Sequence, residues 1–424
     1  MKIAFFLGRF PAVSETFILN QITGLLDRGF DVDIYASRPG NDRVVHADVE
    51  RYGLLDRTFY YREALRRIVP QNRLWRLTKA VVLLTGNLKR PMPLLRSLNV
   101  LKFGRQAASL DMFYETFVFC SSRLHEYDIV HCHFGPKGNL AAWLKDIGVI
   151  RGRVITTFHG HDVSSYIKAK GNQVYGSLFE IGDLFLPVSE RWKEALIALG
   201  CSPHKIIVHR MGIDTRSLSF SPRRPGDDAK IRLLTVARLV EKKGVQYGIQ
   251  AVARLLQAYP QVEYRIAGDG PLRGDIERLI GALNVNSQVK LLGWKRQDEI
   301  AELMRDAHIL LAPSVTGEDG GQEGIPVVLM EALAQGLPVL STQHSGIPEL
   351  VQDGVSGFLV PERDVDALAE KLEYLVRHPE MWPEMGRAGR DFVERYYDIN
   401  KLNDRLAELY RRVLESGASA ERTV

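Results

Sequence analysis

Short apolar runs alternate with amphipathic stretches along almost the whole chain. An apolar run over residues 2–7 is followed by a helical pattern over 14–28 and a second apolar run over 31–36. Strand, helix and strand at this spacing form a βαβ unit, which requires a parallel sheet. After a long helical stretch, further runs at 129–133, 154–159 and 184–188 repeat the alternation, each followed by polar or glycine-containing sequence and a helical pattern. This first unit ends near 206–209. Residues 219–230, S-F-S-P-R-R-P-G-D-D-A-K, carry two prolines, a glycine and five charges and read as a linker.

The alternation then restarts. Strands are predicted over 231–237, 262–267, 289–292, 309–312, 339–341 and 357–360, with helices over 244–258, 272–283 and 299–305 and another from 327. The simplest architecture is α/β, two doubly wound sheets in tandem. A last amphipathic helix is predicted over 399–415, after a loop at 396–398, and the small, polar tail 416–424 is expected to fray. The halves share a fold pattern without a visible sequence period.

The stretch 317–331, G-E-D-G-G-Q-E-G-I-P-V-V-L-M-E, organises the second half. A glycine-rich loop delivers Glu323 beside Gly324 and Ile325, and Pro326 stands where a first helical residue is expected. The apolar run to Leu333 continues that helix, and Gly336 is its expected stop. Glu323 is thus presented at a helix mouth while Glu331 lies inside the helix. Exposed N–H groups and positive dipole charge at such a mouth favour an anion such as a diphosphate. An acid beside it fits a ligand with hydroxyls and phosphate together, as in a nucleotide sugar. A surface loop capped by acidic residues is the other reading.

Composition adds bounds. At 424 residues the chain has room for two to three domains. Three widely separated cysteines, Cys120, Cys132 and Cys201, argue against a disulfide framework and fit a reducing cytoplasm. The apolar run at the start stops at Gly8 and Arg9, too short for a signal peptide, and no run approaches the ~18 residues of a membrane span. Net charge is +5, but residues 51–110 hold thirteen Lys or Arg against Asp56 and Glu63, a local excess of +11. Apolar residues at helical spacing run through it: Leu65, Ile68, Val69, then Leu74, Leu77, Val81, Leu84, then Leu94, Leu95, Leu98. Such a stretch can lie on an anionic membrane, face an acidic partner, or be a helical insertion with a solvated basic face. No nucleic-acid partner is expected.

Candidate chemistry gathers at predicted strand ends. Arg238 closes the first strand of the second half, and Lys243 with Gly244 opens the next helix, placing two cations where a ligand phosphate would lie. After the next strand, Gly268, Gly270 and Pro271 in A-G-D-G-P allow close backbone approach to a ligand. With Gly274 they lack the G-x-G-x-x-G spacing of a dinucleotide site. His131 and His133 end one strand, and His159, His161 and Asp162 follow another. These lack the usual metal-ligand spacings, so substrate contact is favoured, with His131 structural. The further ligands of a metal phosphohydrolase are not evident. Asp31-Val32-Asp33 matches a metal-chelating D-x-D but falls on an early strand and reads as strand residues.

Together these residues resemble the family 4 retaining glycosyltransferases of GT-B fold over nearly the whole chain. The matches are R-L-x-x-x-K-G at 238–244, the A-G-D-G-P turn, the E-x7-E pair Glu323 and Glu331, and the segments A-L-A-Q-G-L-P-V-L-S-T and G-I-P-E-L-V-Q-D-G-V-S-G-F-L-V. The start, G-R-F-P-A-V-S-E-T-F-I-L-N-Q, resembles the branch acting in bacterial exopolysaccharide assembly, of colanic-acid type.

The resemblance implies two Rossmann-like domains facing across a cleft: an acceptor-side domain over 1–212 and a nucleotide-sugar domain over 213–396, with a C-terminal helix in 397–424 crossing back to the first. It implies that Arg238 and Lys243 bind the donor diphosphate, Glu323 the sugar hydroxyls and Glu331 the ribose, with His159 beside the reacting sugar. Gly8 and its loop would approach the diphosphate, although Arg9-Phe10-Pro11-Ala12 replaces the Gly-Gly pair of many members. The implied enzyme is metal-independent and without a cofactor beyond its nucleotide-sugar co-substrate. It would be cytoplasmic, with a glycan or lipid-linked glycan acceptor and peripheral contact at the inner face of the plasma membrane through 51–110. Glu323 and Glu331 would not act as a glycosidase pair, which must flank the bond. A nucleotide-sugar epimerase or phosphorylase of the same fold, or a non-catalytic sugar-nucleotide-binding protein, are the alternatives.

Overall fold

The computed structural model describes residues 1–12, 15–40, 46–86, 91–122, 124–226 and 228–421, with side chains at all of these except 73, 103, 105, 106, 125 and 416–421. Strands β1 (Lys2–Phe10), β2 (Asp31–Pro39), β3 (Thr58–Tyr60), β4 (Ile129–His133), β5 (Arg153–Phe158) and β6 (Leu184–Pro187) form one parallel sheet, in the order β3-β2-β1-β4-β5-β6. Strands β7 (Ile231–Val236), β8 (Val262–Ala267), β9 (Val289–Gly293), β10 (Ile309–Ala312), β11 (Val339–Thr342) and β12 (Gly357–Val360) form a second, in the order β12-β11-β10-β7-β8-β9. Counted from its own first strand, the second sheet repeats the order of the first. Each reverses its winding beside its first strand, so each has a ligand-binding crevice at the carboxyl ends of β1 and β4, or of β7 and β10. The two Rossmann-like domains expected from the alternation are the ones observed.

Burial explains the unbroken apolar runs. Ile3, Phe5, Ile309 and Leu311 are fully buried, because helices cover both faces of each sheet. The helix Ile399–Glu421 crosses back and packs Leu406, Leu409 and Tyr410 against Ile3, Phe5 and Ile22 of the first core. Where the chain passes between domains its two strands lie together: Ile213 N–H donates to the Tyr397 carbonyl at 3.0 Å and Ile399 N–H to the Ile213 carbonyl at 2.9 Å.

Three boundaries differ from expectation. β1 keeps pairing with β2 through Arg9 and Arg38 to Phe10 and Pro39, so Gly8 is a strand residue and not the start of a loop. The first helix spans Thr16–Asp27, and Ser14, its expected start, lies outside the described residues. The last helix runs on to Glu421 rather than fraying after 415, since adding Ala418, Ala420 and Glu421 to a formed helix needs no new nucleus. Residues 422–424 lie outside the described part.

The basic stretch continues between β3 and β4 as the helices Tyr61–Ile68, Arg73–Gly86, Pro91–Ser97, Val100–Ala108 and Asp111–Cys120. They share a small core of their own around Ala80, Leu94, Phe113 and Tyr114. Lys89 and Arg90 lie outside the described residues.

Candidate functional site

The crevice of the second sheet is built by two loops that touch through glycine. After β7 comes exposed Arg238, then the turn Glu241–Lys243 and Gly244 at φ +62°. A Cβ on Gly244 would collide with the carbonyl of Pro313, just beyond β10, so only glycine fits there. This contact places Lys243 Nζ 3.0 Å from Glu323 Oε2, and Lys242 Nζ 3.0 Å from Glu323 Oε1. Glu323 is 8% exposed. Burial pushes its carboxyl up, but the Lys243 and Lys242 ammonium groups outweigh that and hold it at about 2. The acid is ionised at any working pH.

The main chain of Glu323 is fixed as firmly. Its N–H donates to His344 Nε2 at 3.1 Å, and its carbonyl accepts from Ser345 Oγ at 2.5 Å. Because His344 Nε2 is an acceptor, Nδ1 carries the proton and donates to Glu362 Oε1 at 2.6 Å. Burial holds His344 below the usual imidazole range, in keeping with one ring proton. Glu362 also accepts from Thr316 N–H at 2.7 Å, so the ends of β10, β11 and β12 are tied together beneath Glu323.

Pro326 is extended at ψ 124° and caps the helix Val327–Ala334 instead of opening it, and Gly336 ends it at φ +83° as expected. Half-buried Glu331 lies in this helix, and its carboxylate has no hydrogen bond or ion pair among the described residues. Burial raises its carboxyl to about 7. Ile325 turns its side chain into the core with Leu329 and Ile347. Gly268 and Gly270 allow a close approach, but to the protein itself: added Cβ atoms would meet the carbonyls of Ala237 and Leu239. They hold the loop that carries Arg238, and Pro271 beside them is exposed. Around a Cβ on Gly8 there is open space.

The first domain brings His159 to this crevice from the end of β5. Buried Asp162 staples the turn, accepting from the N–H groups of His159 and Gly160 at 2.9 Å and of Gly135, at the start of the helix Gly135–Asp146, also at 2.9 Å. His159 Nε2 shares a proton with His133 Nδ1 at 2.9 Å, and its ring packs on Phe134 at 4.5 Å and Phe17 at 5.1 Å. Phe134 holds φ +73°, an uncommon conformation for a bulky residue that marks a constrained position. Burial lowers His159 to about 3, so it is a neutral imidazole in use. His131 is satisfied by Thr157 Oγ1 at 2.7 Å and Tyr410 OH at 2.5 Å, a structural role, whereas exposed His161 meets Ser165 Oγ at 2.6 Å. Asp31 pairs with Arg57 at 2.9 Å and Asp33 accepts from Tyr127 OH at 2.5 Å, as strand residues.

The two halves of the site meet directly. A Cβ on Gly324 would strike the His159 carbonyl oxygen, and one on Gly160, at φ +120°, would lie 3.0 Å from the Glu323 carbonyl oxygen. Polar contacts flank this seam. Lys168 Nζ donates to the Glu318 carbonyl at 2.6 Å, Gln322 N–H to Ser164 Oγ at 3.3 Å, and Arg191 to Gln322 Oε1 at 3.1 Å. Glu349 of the second domain accepts from Glu190 N–H at 3.0 Å and Arg191 N–H at 3.1 Å, the first turn of the helix Glu190–Ala198 in the first domain. An acid at a helix N-terminus satisfies orphan donors and opposes the dipole.

His159, Lys243, Glu323 and Gly324 therefore come together, while Gly268 and Gly270 act one loop away. Sequence reasoning missed Lys242, His344 with Glu362, Asp162 as a staple, and Glu349. The doubled lysine in E-K-K-G was a usable signal, and so was His344 two residues after β11. For Glu349 there was none, because its partners lie 158 and 159 positions away.

The chain matches two family descriptions in tandem: Glycosyltransferase Family 4 over residues 100–217 and Glycosyl transferases group 1 over 219–392. It is 39% identical to the putative colanic acid biosynthesis glycosyltransferase WcaL of Salmonella typhimurium, over 97% of this chain and 100% of that protein. To the amylovoran biosynthesis glycosyltransferase AmsK of Erwinia amylovora it is 37% identical, over 97% and 100%. Among solved structures, Anabaena HepE in complex with UDP and glucose superposes with a TM-score of 0.70 at 18% identity, covering 97% of this chain and 100% of that one. Full-length similarity at this level, on the tandem fold described above, makes the chain a member of the family 4 glycosyltransferases.

Proposed function

We propose that this transferase is a retaining hexosyltransferase, moving a sugar from a nucleotide-diphosphate donor to a lipid-linked or oligosaccharide acceptor in the synthesis of a bacterial exopolysaccharide or other cell-surface glycan. The observation that carries it is Glu323, buried and ionised between Lys242 and Lys243 in the second crevice, with the backbone of His159 from the other domain packed against the adjoining Gly324. The names of its full-length relatives, in colanic acid and amylovoran biosynthesis, support the exopolysaccharide role. UDP in HepE, which shares the fold, is in keeping with a nucleotide donor.

In the proposed step the acceptor hydroxyl oxygen bonds to the anomeric carbon on the face from which the diphosphate oxygen departs. The hydroxyl proton passes to the leaving diphosphate. Arg238 and Lys243 meet the charge that develops there, aided by the helix N-terminus beyond Pro326, and no metal or further cofactor is needed for it. Glu323 accepts sugar hydroxyls, and Glu331 the ribose hydroxyls, which would supply the hydrogen bonds its carboxylate lacks. Gly324 and Ile325 offer backbone to the donor, Gly268, Gly270 and Pro271 shape the diphosphate loop, and Gly8 borders the open space opposite. His159 stands beside the sugar as a neutral group.

We place the enzyme in the cytoplasm, peripheral to the inner face of the membrane through 51–110. No helix among the described residues is long and apolar enough to cross a membrane. The test is a panel of nucleotide sugars scored by acceptor-dependent release of nucleoside diphosphate, with and without a chelator, and with the anomeric configuration read by NMR. Inverted product, or activity abolished by chelation, would overturn the corresponding part.

A further inference from the structure

We infer that the outer face of the helix Arg73–Gly86, in a segment that also exposes Met92, Leu95, Val100 and Leu101, inserts into the headgroup region of an anionic phospholipid bilayer. This rests on the membrane-linked acceptor proposed above and names the surface that meets the lipid. The sequence shows only that apolar and basic residues mix in this stretch; the structure separates two apolar faces. Ala80, Leu83 and Leu84 turn inward against Phe113 and Tyr114 and are used up in the small core. Leu74 is 78% exposed, Trp75 69%, Leu77 59%, Val81 55% and Val82 66%. Leu74, Leu77 and Val81 lie at i, i+3 and i+7 and form one stripe, with Trp75 and Val82 beside it. Nine of the seventeen exposed large apolar side chains among the described residues fall between 74 and 101, so apolar exposure is concentrated in this one segment.

Charge selects the occupant. Arg66, Arg67 and Arg96 are exposed in the same segment and Lys79 is half-buried, and none makes an ion pair among the described residues. A second copy docking here would bring two segments of +11 together, which repels. A soluble acidic partner would use the cations but leaves bare Leu and Trp unexplained. An anionic bilayer accepts both, with Trp at the interface and basic side chains among the headgroups. The segment also leaves the first sheet at the right edge: Tyr61 follows directly on β3, at the carboxyl side where the cleft opens, and its hydroxyl accepts from Lys137 Nζ at 2.9 Å.

The test is co-sedimentation with vesicles of phosphatidylcholine, with or without phosphatidylglycerol, at low and high salt. Wild-type protein should bind the phosphatidylglycerol vesicles at low salt, with a blue shift of tryptophan emission that Trp75→Phe removes. The double variant Leu74→Ser, Trp75→Ser should lose about tenfold or more in partitioning. It should keep its melting temperature and its acceptor-dependent release of nucleoside diphosphate with a soluble acceptor. Equal partitioning of the double variant, indifference to phosphatidylglycerol, or a solution dimer that the double variant dissolves would each overturn the inference. Transfer to the soluble acceptor, measured on the same preparations, tells separately whether the transferase reading stands.

Discussion

The carbonyl oxygen of His159 and the Cα of Gly324 meet across the cleft so closely that a methyl group does not fit between them. One residue belongs to the first domain and the other to the second, next to buried Glu323. Gly324→Ala should therefore hold the domains apart without disturbing either core. We expect kcat/KM to fall about a hundredfold, as for a small misplacement of reacting groups, with little change in melting temperature. A variant that closes normally by small-angle scattering and turns over like wild type would show that this seam is not part of the working state.

The two lysines on Glu323 are expected to differ. Lys243→Ala should lower kcat about a hundredfold or more, the scale for removing one stabiliser of developing charge. Lys242→Ala should act mainly on donor KM, about tenfold, since its partner retains the other cation. Glu323→Ala should cut transfer strongly, and it also leaves two ammonium groups facing each other. Steady-state kinetics on all three variants decides the ranking.

Glu323 also sets an acid limit. Its folded value of about 2 lies below the ordinary 4.5, so the unfolded chain binds the extra proton between those values. The stabilisation is complete above about pH 4.5 and lost as pH falls towards about 2. Glu323→Gln should flatten this part of an acid-unfolding curve followed by circular dichroism.

Glu331 works in the opposite direction. Its folded value is raised from 4.5 to about 7, so the folded protein keeps a proton that the unfolded chain releases. Stability from this group declines as pH rises through that window and is level above it. Glu331→Gln should melt like wild type near pH 5 and higher near pH 8, by at most about 3 kcal/mol. Its donor affinity should fall if the carboxylate grips ribose. Melting curves at the two pH values and a donor titration measure the two effects.

Glu349 reaches from one domain to the first turn of a helix in the other. Glu349→Ala should leave both domains folded, raise donor KM several-fold and make the cleft more open to proteolysis. Unchanged KM with unchanged digestion would show the contact to be incidental.

Much of this architecture was legible because its cause is local. Apolar runs such as 2–7 and 309–312 are unbroken where helices cover both faces of a parallel strand, and the residues just beyond them, Arg238 and His159, fall at the cleft by topology alone. What was not legible depends on which neighbour a side chain finds. Periodicity placed Leu74, Leu77, Leu84 and Leu94 on helical faces, but not which face would be covered: Leu84 and Leu94 turn in, Leu74 and Leu77 turn out. Gly268 and Gly270 signalled close approach correctly, yet the approaching group is the backbone of Ala237 and Leu239. His344 and Glu362 come from separate strand ends, and only the folded sheet puts them under Glu323.

Glu323 brings its own cations, and this bears on how a turnover ends. On the function proposed above, a diphosphate entering the crevice would not fill a bare positive site; it would compete for Lys243 and Lys242 with an anion already in residence. The same carboxylate stands ready to retake them once the sugar has left. On that proposal spent nucleotide would be displaced from within, and a highly charged donor would bind without the equally charged product becoming trapped.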